Sequence, residues 1–497
     1  MRASGILMPV FSLPSRYGIG SFSKSAYQFV DMLKKAGQKY WQILPLCPTS
    51  YGDSPYQSFS TYAGNPYFID LDQLIEEKLL TRKECQACDF GDDPQDIDYG
   101  KLYENRFKLL RKAYERANVG EDQEFEAYRR ENAWWLDDYA LFMAVKDRFD
   151  GVAWNEWAED IRLRWSNAMD YYRRELYYEI EFYSYLQFVF MKQWKKLKNY
   201  ANINGIEIIG DIPIYVAFDS ADAWANPELF QFDAENLPTA VAGCPPDGFS
   251  ADGQLWGNPL YRWDYHRETG FDWWIRRIAY CSELYDVVRI DHFRGFDEYY
   301  SIPYGDTTAR NGHWEKGPGI ALFEAAKKRL GELNIIAEDL GYITDSVKKL
   351  VADSGFPGMK VLEFAFDSRE KSDYLPYTYE KNSVVYTGTH DNETIAGWYA
   401  GLDKSDLKMC TDYMNIDRIP GKEYHWDFIR LAMLSVSDLC VIPIQDYLGL
   451  DNRARINHPS TLGTNWRWRL AKGQLSASLL KEIREMTRIS GRLQNGE

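Results

Sequence analysis

Acidic and basic side chains follow the apolar runs of this sequence at the points where those runs end. The polar residues concerned are Asp211, Arg289, Asp291, His292, Glu338, Asp339, Glu363, Asp367, His390, Asp391, Asn392, Gln445 and Asp446. If the runs are parallel strands of a barrel, these side chains converge at one mouth, because reactive groups gather at the carboxyl ends of such strands. Converging carboxylates either bind a metal ion or supply an acid and a nucleophile to a glycosidic bond.

The metal alternative has the weaker support. A single Asp or Glu at a strand end is more often a helix cap or a salt-bridge partner, so the inference depends on the joint pattern of RIDHFRG (289–295) and TGTHDN (387–392). The chain has only six histidines and lacks the H-E-x-x-H and D-x-D-x-D-G patterns of metal sites. It also lacks a phosphate-binding G-x-x-x-x-G-K-[ST] loop and a G-x-S-x-G elbow. We therefore predict neither a metal nor a cofactor.

Eight short apolar runs must position these groups. They span residues 5–10, 40–46, 206–214, 286–293, 334–340, 359–366, 383–392 and 439–448. Runs of this kind are typical of strands buried on both faces of a parallel sheet. Helical spacing of apolar residues lies between them, as in 26–36 and in 347–351 after the candidate caps Thr344 and Asp345. The alternation predicts an α/β fold, a (β/α)8 TIM barrel; an open doubly wound sheet is the alternative, disfavoured by the missing Gly-rich turn.

Two intervals between runs are too long for simple crossovers. Residues 47–205 are rich in Tyr, Trp and charged residues and have a largely helical pattern, whereas 215–285 carry Trp, Asn, Pro and Gly and look irregular. Long loops of a barrel usually lie at its carboxyl-terminal face and shape the site. We therefore predict a single catalytic barrel over 1–497, with one insertion subdomain after strand 2 and a second, bearing a substrate loop, after strand 3.

Composition favours a neutral ligand. The chain has 497 residues, 74 acidic and 58 basic, and a net charge of −16, which disfavours binding to nucleic acid or to an anionic membrane. Its 17 Trp, 36 Tyr and 25 Phe mostly serve the core, but aromatic side chains in loops beside Gly, Asn or Asp suit the apolar faces of sugar rings. The loop aromatics of this kind are Tyr51, Tyr56, Tyr99, Trp256 and Trp263.

The cysteines and the absence of targeting patterns favour the cytoplasm. Seven cysteines are few and odd in number, which disfavours a disulfide framework. Cys85 and Cys88 form a C-x-x-C without a second pair at zinc spacing, so we expect ordinary thiols. No apolar run approaches the roughly 20 residues of a membrane helix, and the amino-terminal segment lacks a signal cleavage pattern.

Seven sequence blocks resemble those of glycoside hydrolase family 77, the 4-alpha-glucanotransferases of the alpha-amylase clan, and they occur along the chain in the order expected for that family. Three carry the carboxylates: RIDHFRG (289–295), AEDLG (337–341) and GTHDNET (388–394). The other four blocks lie at residues 52–71, 210–230, 245–263 and 463–470. The likeness extends over nearly the whole chain. It also implies that the clan's carboxyl-terminal β-sandwich is missing, because the chain ends soon after the eighth unit.

The resemblance implies a role for each matching position. Asp291 would be the nucleophile, Glu338 the general acid/base, and Asp391 the carboxylate that holds the sugar hydroxyls in the transition state. Arg289 lies two residues before Asp291, so on a strand both side chains face the same way, and its charge would keep Asp291 ionised. Further substrate contacts are implied for Tyr56, Asp211, Gln254, Trp256, His292, His390 and Asn465, and a secondary glucan groove for Tyr51 and Tyr99.

The implied activity is transfer of a segment of a 1,4-alpha-D-glucan to the 4-hydroxyl of an acceptor glucose or glucan. It proceeds by a retaining double displacement through a covalent glycosyl-enzyme, and this chemistry needs no cofactor. The implied partners are maltooligosaccharide donors and acceptors. Two alternatives remain open: an alpha-glucan hydrolase of the same clan, and a non-catalytic glucan-binding barrel. The second predicts the loss of at least one of the three carboxylates, and all three are present.

Overall fold

The computed structural model of the chain describes residues 2–50, 52–246, 250–341, 343–417 and 423–493. These residues form twelve strands: β1 (Ala3–Leu7), β2 (Tyr40–Gln42), β3 (Glu207–Pro213), β4 (Ala240–Cys244), β5 (Gln254–Pro259), β6 (Val287–Asp291), β7 (Glu298–Pro303), β8 (His313–Lys316), β9 (Ile335–Ala337), β10 (Gly358–Val361), β11 (Ser383–Tyr386) and β12 (Leu439–Pro443). Eight of them close into a parallel barrel in the order β1, β12, β11, β10, β9, β6, β3, β2. The predicted (β/α)8 barrel is therefore confirmed.

Eighteen α-helices surround the barrel or lie in its insertions. They are α1 (Lys24–Lys35), α2 (Leu71–Glu76), α3 (Arg82–Gln86), α4 (Tyr99–Arg116), α5 (Gln123–Arg148), α6 (Glu159–Arg162), α7 (Ser166–Glu175), α8 (Tyr177–Ile203), α9 (Ala221–Ala225), α10 (Trp263–Glu268), α11 (Asp272–Leu284), α12 (Ile320–Leu330), α13 (Asp345–Ser354), α14 (Ile395–Gly401), α15 (Lys404–Met414), α16 (His425–Leu434), α17 (Ile444–Tyr447) and α18 (Ala477–Ile489). Helix α1 buries Ala26, Phe29, Val30 and Leu33. This is the face that the spacing of its apolar residues predicts.

Each predicted apolar run overlaps a barrel strand, although β1 and β10 begin before their runs and the later strands end well before their runs do. The run 383–392 leaves the strand after Tyr386, and the run 439–448 continues from Pro443 into the short helix α17. The residues beyond the strand ends form the loops and turns at the barrel mouth. The candidate reactive groups in these runs therefore sit on short loops anchored directly to the barrel.

The interior of the barrel is apolar away from the mouth and charged at the mouth. The part away from the mouth is an apolar cluster contributed by seven strands: Leu7, Ile209, Val287, Ile336, Met359, Val361, Val384, Tyr386 and Val441. Successive residues of a strand point to opposite faces, so Arg289 and Asp291 follow Val287 on the inner face. The register of β3 and β6 pairs Asp211 with Arg289 across the ladder. Barrel closure therefore brings these three ionisable groups together above a dry core.

The two long intervals have different structures. Helices α2 to α8 occupy the first, and the long helices α5 and α8 pack against each other. The second interval, 215–285, is more regular than its composition suggests: it contains β4 and β5, and its last helix, α11, packs against β3 and β6. Strands β4 and β5 join β7 and β8 in an antiparallel sheet of order β5, β4, β7, β8. The hairpin β7–β8 follows barrel strand β6, so a third segment of chain contributes to this mouth.

The described residues contain no helix that is both long enough and apolar enough to span a membrane. All seven cysteines are free thiols, and Cys85 of the C-x-x-C is buried in helix α3.

The close packing of β3 leads to a test of the barrel frame. Gly210 precedes Asp211, and a Cβ at this position would lie 2.1 Å from the ring of buried Tyr285. We expect Gly210→Ala to lower the melting temperature, because overpacking a core costs roughly 1–3 kcal/mol. Gly120→Ala is the matched control, since nothing lies within 4 Å of the added atom. Equal melting temperatures of the two variants in a thermal unfolding scan would contradict this packing.

Candidate active site

A buried arginine joins two carboxylates at the mouth of the barrel. Arg289 Nη1 donates to Asp211 Oδ2 at 2.6 Å, and Nη2 donates to Asp291 Oδ1 at 3.0 Å. The side chains of Arg289 and Asp211 are 3% and 0% exposed, whereas that of Asp291 is 27% exposed. Only Asp291 of these three is therefore open to a ligand. The arginine contact favours a negative charge on it.

Glu338 lies directly beside Asp291. Its Oε2 accepts a hydrogen bond of 2.6 Å from the backbone N–H of His292, the residue that follows Asp291, and its Oε1 accepts one of 2.8 Å from the N–H of Leu340. The backbone is tied as well, because Glu338 N–H donates to the carbonyl of Ile290. Glu338 is thus held by the turn after β9 against the carboxyl end of β6. Two predicted catalytic groups, drawn from adjacent strands, meet here.

The charge of Glu338 acts on Asp291, so the protonation of one carboxyl affects the other. Burial raises the pKa of Asp291, and the charges of Glu338, Asp211 and Asp391 add to this rise, whereas Arg289 opposes it. Burial also raises the pKa of Glu338, and Arg289 and the two backbone donors oppose it. Interacting carboxyls release their protons in separate steps. Because Arg289 touches Asp291 and not Glu338, we assign the charge to Asp291 and the proton to Glu338.

Asp391 is held by a clamp that comes from the segment after α17. Asn457 Nδ2 donates to Asp391 Oδ1 at 2.6 Å, and Arg455 Nη2 donates to the Asp391 carbonyl at 2.7 Å. His390 Nε2 lies 3.4 Å from Asp391 Oδ2. The Asp391 side chain is 43% exposed, so the clamp fixes one oxygen and leaves the group accessible. This suits a carboxylate that receives the hydroxyls of a ligand.

An aromatic wall faces this group. The Tyr56 ring stacks on the His390 ring, with centroids 5.1 Å apart, and the Tyr56 hydroxyl donates to Asp211 Oδ2 at 2.6 Å. Trp466 lies behind both rings, 5.8 Å from Tyr56 and 5.9 Å from His390. The Tyr99 hydroxyl in turn donates to the Trp466 carbonyl at 2.7 Å. These contacts connect the first insertion to the loop that follows β11.

The opposite wall carries His292 and Trp256. The Trp256 ring meets the His292 ring edge-on at 4.9 Å, and Trp256 Nε1 donates to Gln254 Oε1 at 3.0 Å. His292 has a left-handed backbone with φ of 53°, which is uncommon outside glycine. Burial, reinforced by Arg294, lowers the pKa of His292 to about 3. Its imidazole is therefore neutral at neutral pH.

His390 is neutral for the same reason. Burial lowers its pKa, although the charge of Asp391 opposes this effect. Two neutral imidazoles, one on each wall, offer both donors and acceptors to hydroxyl groups. Together with Asp391 they make the mouth suited to a polyhydroxylated, uncharged ligand.

Two predicted residues have their polar atoms committed to contacts with the protein, and a third, Tyr51, lies outside the described residues. The Asn465 amide is used within its own loop, where Oδ1 accepts from the His458 N–H at 2.9 Å and Nδ2 donates to the Thr461 carbonyl at 2.9 Å. Asn465 therefore shapes the loop that begins at Asn457. Tyr99 is half-buried, with its hydroxyl committed to Trp466, and its predicted role in a secondary groove stays a prediction.

No metal centre can be built from the side chains described. Within the described ranges there is no group of three or more His, Cys, Asp or Glu residues spaced to hold a metal ion. At the mouth, the guanidinium of Arg289 lies between Asp211 and Asp291.

Comparison with known proteins identifies the family. The model of glycoside hydrolase family 77, described as 4-alpha-glucanotransferase, matches residues 8–475. The chain belongs to this family. It is 49% identical to the 4-alpha-glucanotransferase of Clostridium butyricum over 98% of this chain and 100% of that protein. It is 45% identical to that of Thermus thermophilus over 99% of both chains.

The fold agrees with that of a solved structure of the family. The amylomaltase from Streptococcus agalactiae, in complex with acarbose, superposes with a TM-score of 0.96 at 44% identity, over 99% of this chain and 100% of that one. The predicted membership of the 4-alpha-glucanotransferases is therefore confirmed, and the chain is an enzyme of this activity. The roles of individual residues remain predictions.

Three residues of the site escaped the sequence analysis: Arg455, Asn457 and Trp466. They lie in or near the segment RINHPS, which follows no apolar strand and carries no catalytic pattern. The only signal was the nearby block GTNWRWRL, in which a tryptophan could not be distinguished from a core residue. Their proximity to Asp391 depends on how this segment folds back over the mouth, which spacing along the chain does not show.

The Asn457 contact yields a prediction. We expect Asn457→Ala to lower the kcat for glucan transfer roughly 10- to 100-fold, because a displacement of a positioned group by about 1 Å has effects of this size. Asn382→Ala is the control, since this exposed asparagine donates only to the Gly355 carbonyl, away from the site. Steady-state kinetics with maltotriose measures the effect. A kcat equal to that of the Asn382 variant would show that Asn457 does not position Asp391.

Proposed function

We propose that the chain transfers a segment of a 1,4-alpha-D-glucan to the 4-hydroxyl of an acceptor glucose or glucan by a retaining double displacement. The observation that carries the proposal is the difference in surroundings between two adjacent carboxyls. Asp291 touches a buried arginine, whereas Glu338 is 8% exposed and, among the residues that the structure describes, contacts no cation side chain. Two neighbouring carboxyls in different protonation states are what a retaining glycosyl transfer requires.

The first half of the reaction forms a covalent intermediate. Asp291 Oδ attacks the anomeric carbon of the donor while Glu338 gives its proton to the departing glycosidic oxygen. The bond between this oxygen and the anomeric carbon breaks, the reducing-end fragment leaves as an alcohol, and an ester joins the glycosyl segment to Asp291. Glu338 is now ionised. The charge of Arg289 stabilises Asp291 in the free enzyme and is balanced by Asp211 when the ester removes that charge.

The second half reverses these steps with a new acceptor. Glu338 removes the proton from the 4-hydroxyl of the acceptor, the oxygen attacks the anomeric carbon, and the ester to Asp291 breaks. Both halves pass through a transition state with positive charge on the sugar ring. Asp391 stabilises this state through the ring hydroxyls, and the neutral rings of His292 and His390 hydrogen-bond to the same sugar.

The choice between transfer and hydrolysis depends on which acceptor reaches the intermediate. Water must be kept out, and a second sugar must be bound in its place. Trp256, on β5 and against His292, supplies an aromatic surface at one side of the mouth. An aromatic surface of this kind suits the apolar face of a sugar acceptor better than it suits water. We further propose that the enzyme acts in the cytoplasm on maltooligosaccharides and related alpha-glucans.

Incubation with maltotriose tests this proposal. We expect glucose together with a ladder of maltodextrins longer than the substrate, because each glycosyl segment passes to another sugar. Chromatography of the products resolves the ladder. Accumulation of glucose and maltose alone would favour the hydrolase alternative. The control is Asp291→Asn, in which we expect turnover to fall by several orders of magnitude with maltotriose binding retained, and retained turnover would refute the mechanism.

A further inference from the structure

A carboxyl group that the mechanism does not use is buried beside the site. Glu363 follows strand β10 in a short 3-10 turn, and the residue is 9% exposed. Its Oε1 is buried and, within the part of the chain that the structure describes, has no hydrogen-bond partner. Burying a charged oxygen without a partner is costly, so this carboxyl calls for an explanation.

Glu363 lies under the segment that carries two site residues. This segment, residues 387–395, includes His390 and Asp391, and its two ends are held by buried Asp446. Thr387 Oγ1 donates to Asp446 Oδ2 at 2.5 Å, and the N–H of Ile395 donates to Asp446 Oδ1 at 2.8 Å. The segment therefore arches from one oxygen of Asp446 to the other.

The amino-terminal end of the arch rests on Glu363. The Glu363 N–H donates to the Thr387 carbonyl at 3.2 Å. A Cβ placed on Gly388 would lie 2.6 Å from Glu363 Oε1, so the glycine backbone packs directly against the carboxyl. A change in the charge or the size of this group would be felt at Gly388, two residues before His390.

The charges around Glu363 oppose its ionisation. Two other carboxylates face it, Asp446 and Glu393, and Arg455 is the cation on that side. The Arg455 guanidinium, however, donates to the carbonyls of Asn457 and Asp391. Burial, followed by Asp446 and Glu393, raises the pKa of Glu363 well above its ordinary value, while Arg455 and the N–H of Glu393 oppose the rise. The pKa of Asp446 is raised by burial to about 6 only, because Thr387 and Ile395 stabilise its charge.

We propose that Glu363 is a positioning residue that acts as a neutral carboxylic acid, supporting the 387–395 segment and through it His390 and Asp391. Protonated, it is close in shape and charge to a glutamine, and it can lie beside Asp446 without repulsion. Ionised, it would place a second negative charge in the same buried space and displace Gly388. The effect on activity rests on the role proposed for Asp391, whereas the effect on stability does not.

The sign of the stability effect follows from proton linkage. In the unfolded chain, Glu363 loses its proton at its ordinary pKa of about 4.3, whereas in the folded chain it keeps the proton to higher pH. Between these two values the unfolded state binds fewer protons, so rising pH progressively destabilises the fold. A glutamine at this position cannot ionise and removes this penalty. The stabilisation of the fold by Glu363→Gln relative to the parent chain should therefore be absent in acid and grow with pH.

The experiment compares Glu363→Gln with the parent chain and with Glu380→Gln, a substitution of the same kind at an exposed glutamate. We expect the melting temperature of Glu363→Gln to be close to that of the parent near pH 4, at or below the unfolded pKa, and to exceed it by roughly 2 °C near pH 8. The kcat with maltotriose should stay within about twofold of the parent's, because the isosteric amide supports the segment as the protonated acid does. Glu380→Gln should show no pH-dependent difference from the parent.

Two results would overturn the proposal. A lower melting temperature of Glu363→Gln near pH 8 would show that Glu363 is ionised and paired with Arg455, and a difference that does not depend on pH would show that it has no raised pKa.

The positioning role is tested by Glu363→Asp, which keeps the acid but withdraws it from Gly388. We expect a loss of kcat of roughly tenfold or more with a smaller change in KM, and an unchanged kcat would refute that role. Asp391→Asn separates the two proposals, since full activity in that variant would refute the role of Asp391 and leave the melting result intact.

Discussion

The contact on which the site depends is the bridge from Arg289 to Asp211 and Asp291. A cation buried this deeply is stable only when its hydrogen bonds are made, and Arg289 satisfies this with two carboxylates on neighbouring strands. The bridge requires one register between β3 and β6, the one that pairs Asp211 with Arg289. The register of these two strands and the charge on Asp291 are therefore linked through the same contact. The hydroxyl of Tyr56 extends the bridge to the aromatic wall.

The carboxyl groups at the mouth of the barrel differ in their partners and in their exposure to solvent. Asp291 touches a guanidinium, Glu338 is buried with a raised pKa, and Asp391 is half-exposed and held by an amide. Asp446 is buried with two donors, and Glu363 is buried with none on Oε1. With these five carboxyls and Asp211 around one opening, their mutual repulsion would be large if all were ionised. Distributing them between paired, protonated and solvated states makes the arrangement possible.

Much of the frame was predictable from the sequence, because barrel strands buried on both faces leave continuous apolar runs. The eight runs and the polar residues at their ends located Asp291, Glu338 and Asp391 at one mouth. The sheet β5–β4–β7–β8 was not predicted, because AVAGC and QLWGNP show no clear alternation of apolar and polar residues, and the hairpin β7–β8 comes from another part of the chain. Asn457 was missed because its contact with Asp391 joins segments 66 residues apart.

The central claim is that Asp291, held charged by Arg289, forms the bond to the sugar. Its most direct measurement uses Glu338→Gln with an alpha-maltotriosyl fluoride that lacks the 4-hydroxyl at its non-reducing end. Fluoride leaves without acid assistance, and neither the base nor a sugar acceptor is then available to release the intermediate. Peptide mass spectrometry should find one glycosyl adduct, on the peptide that contains Asp291 and at that residue. An adduct on any other side chain, or a beta-configured product in the parent enzyme, would contradict the account.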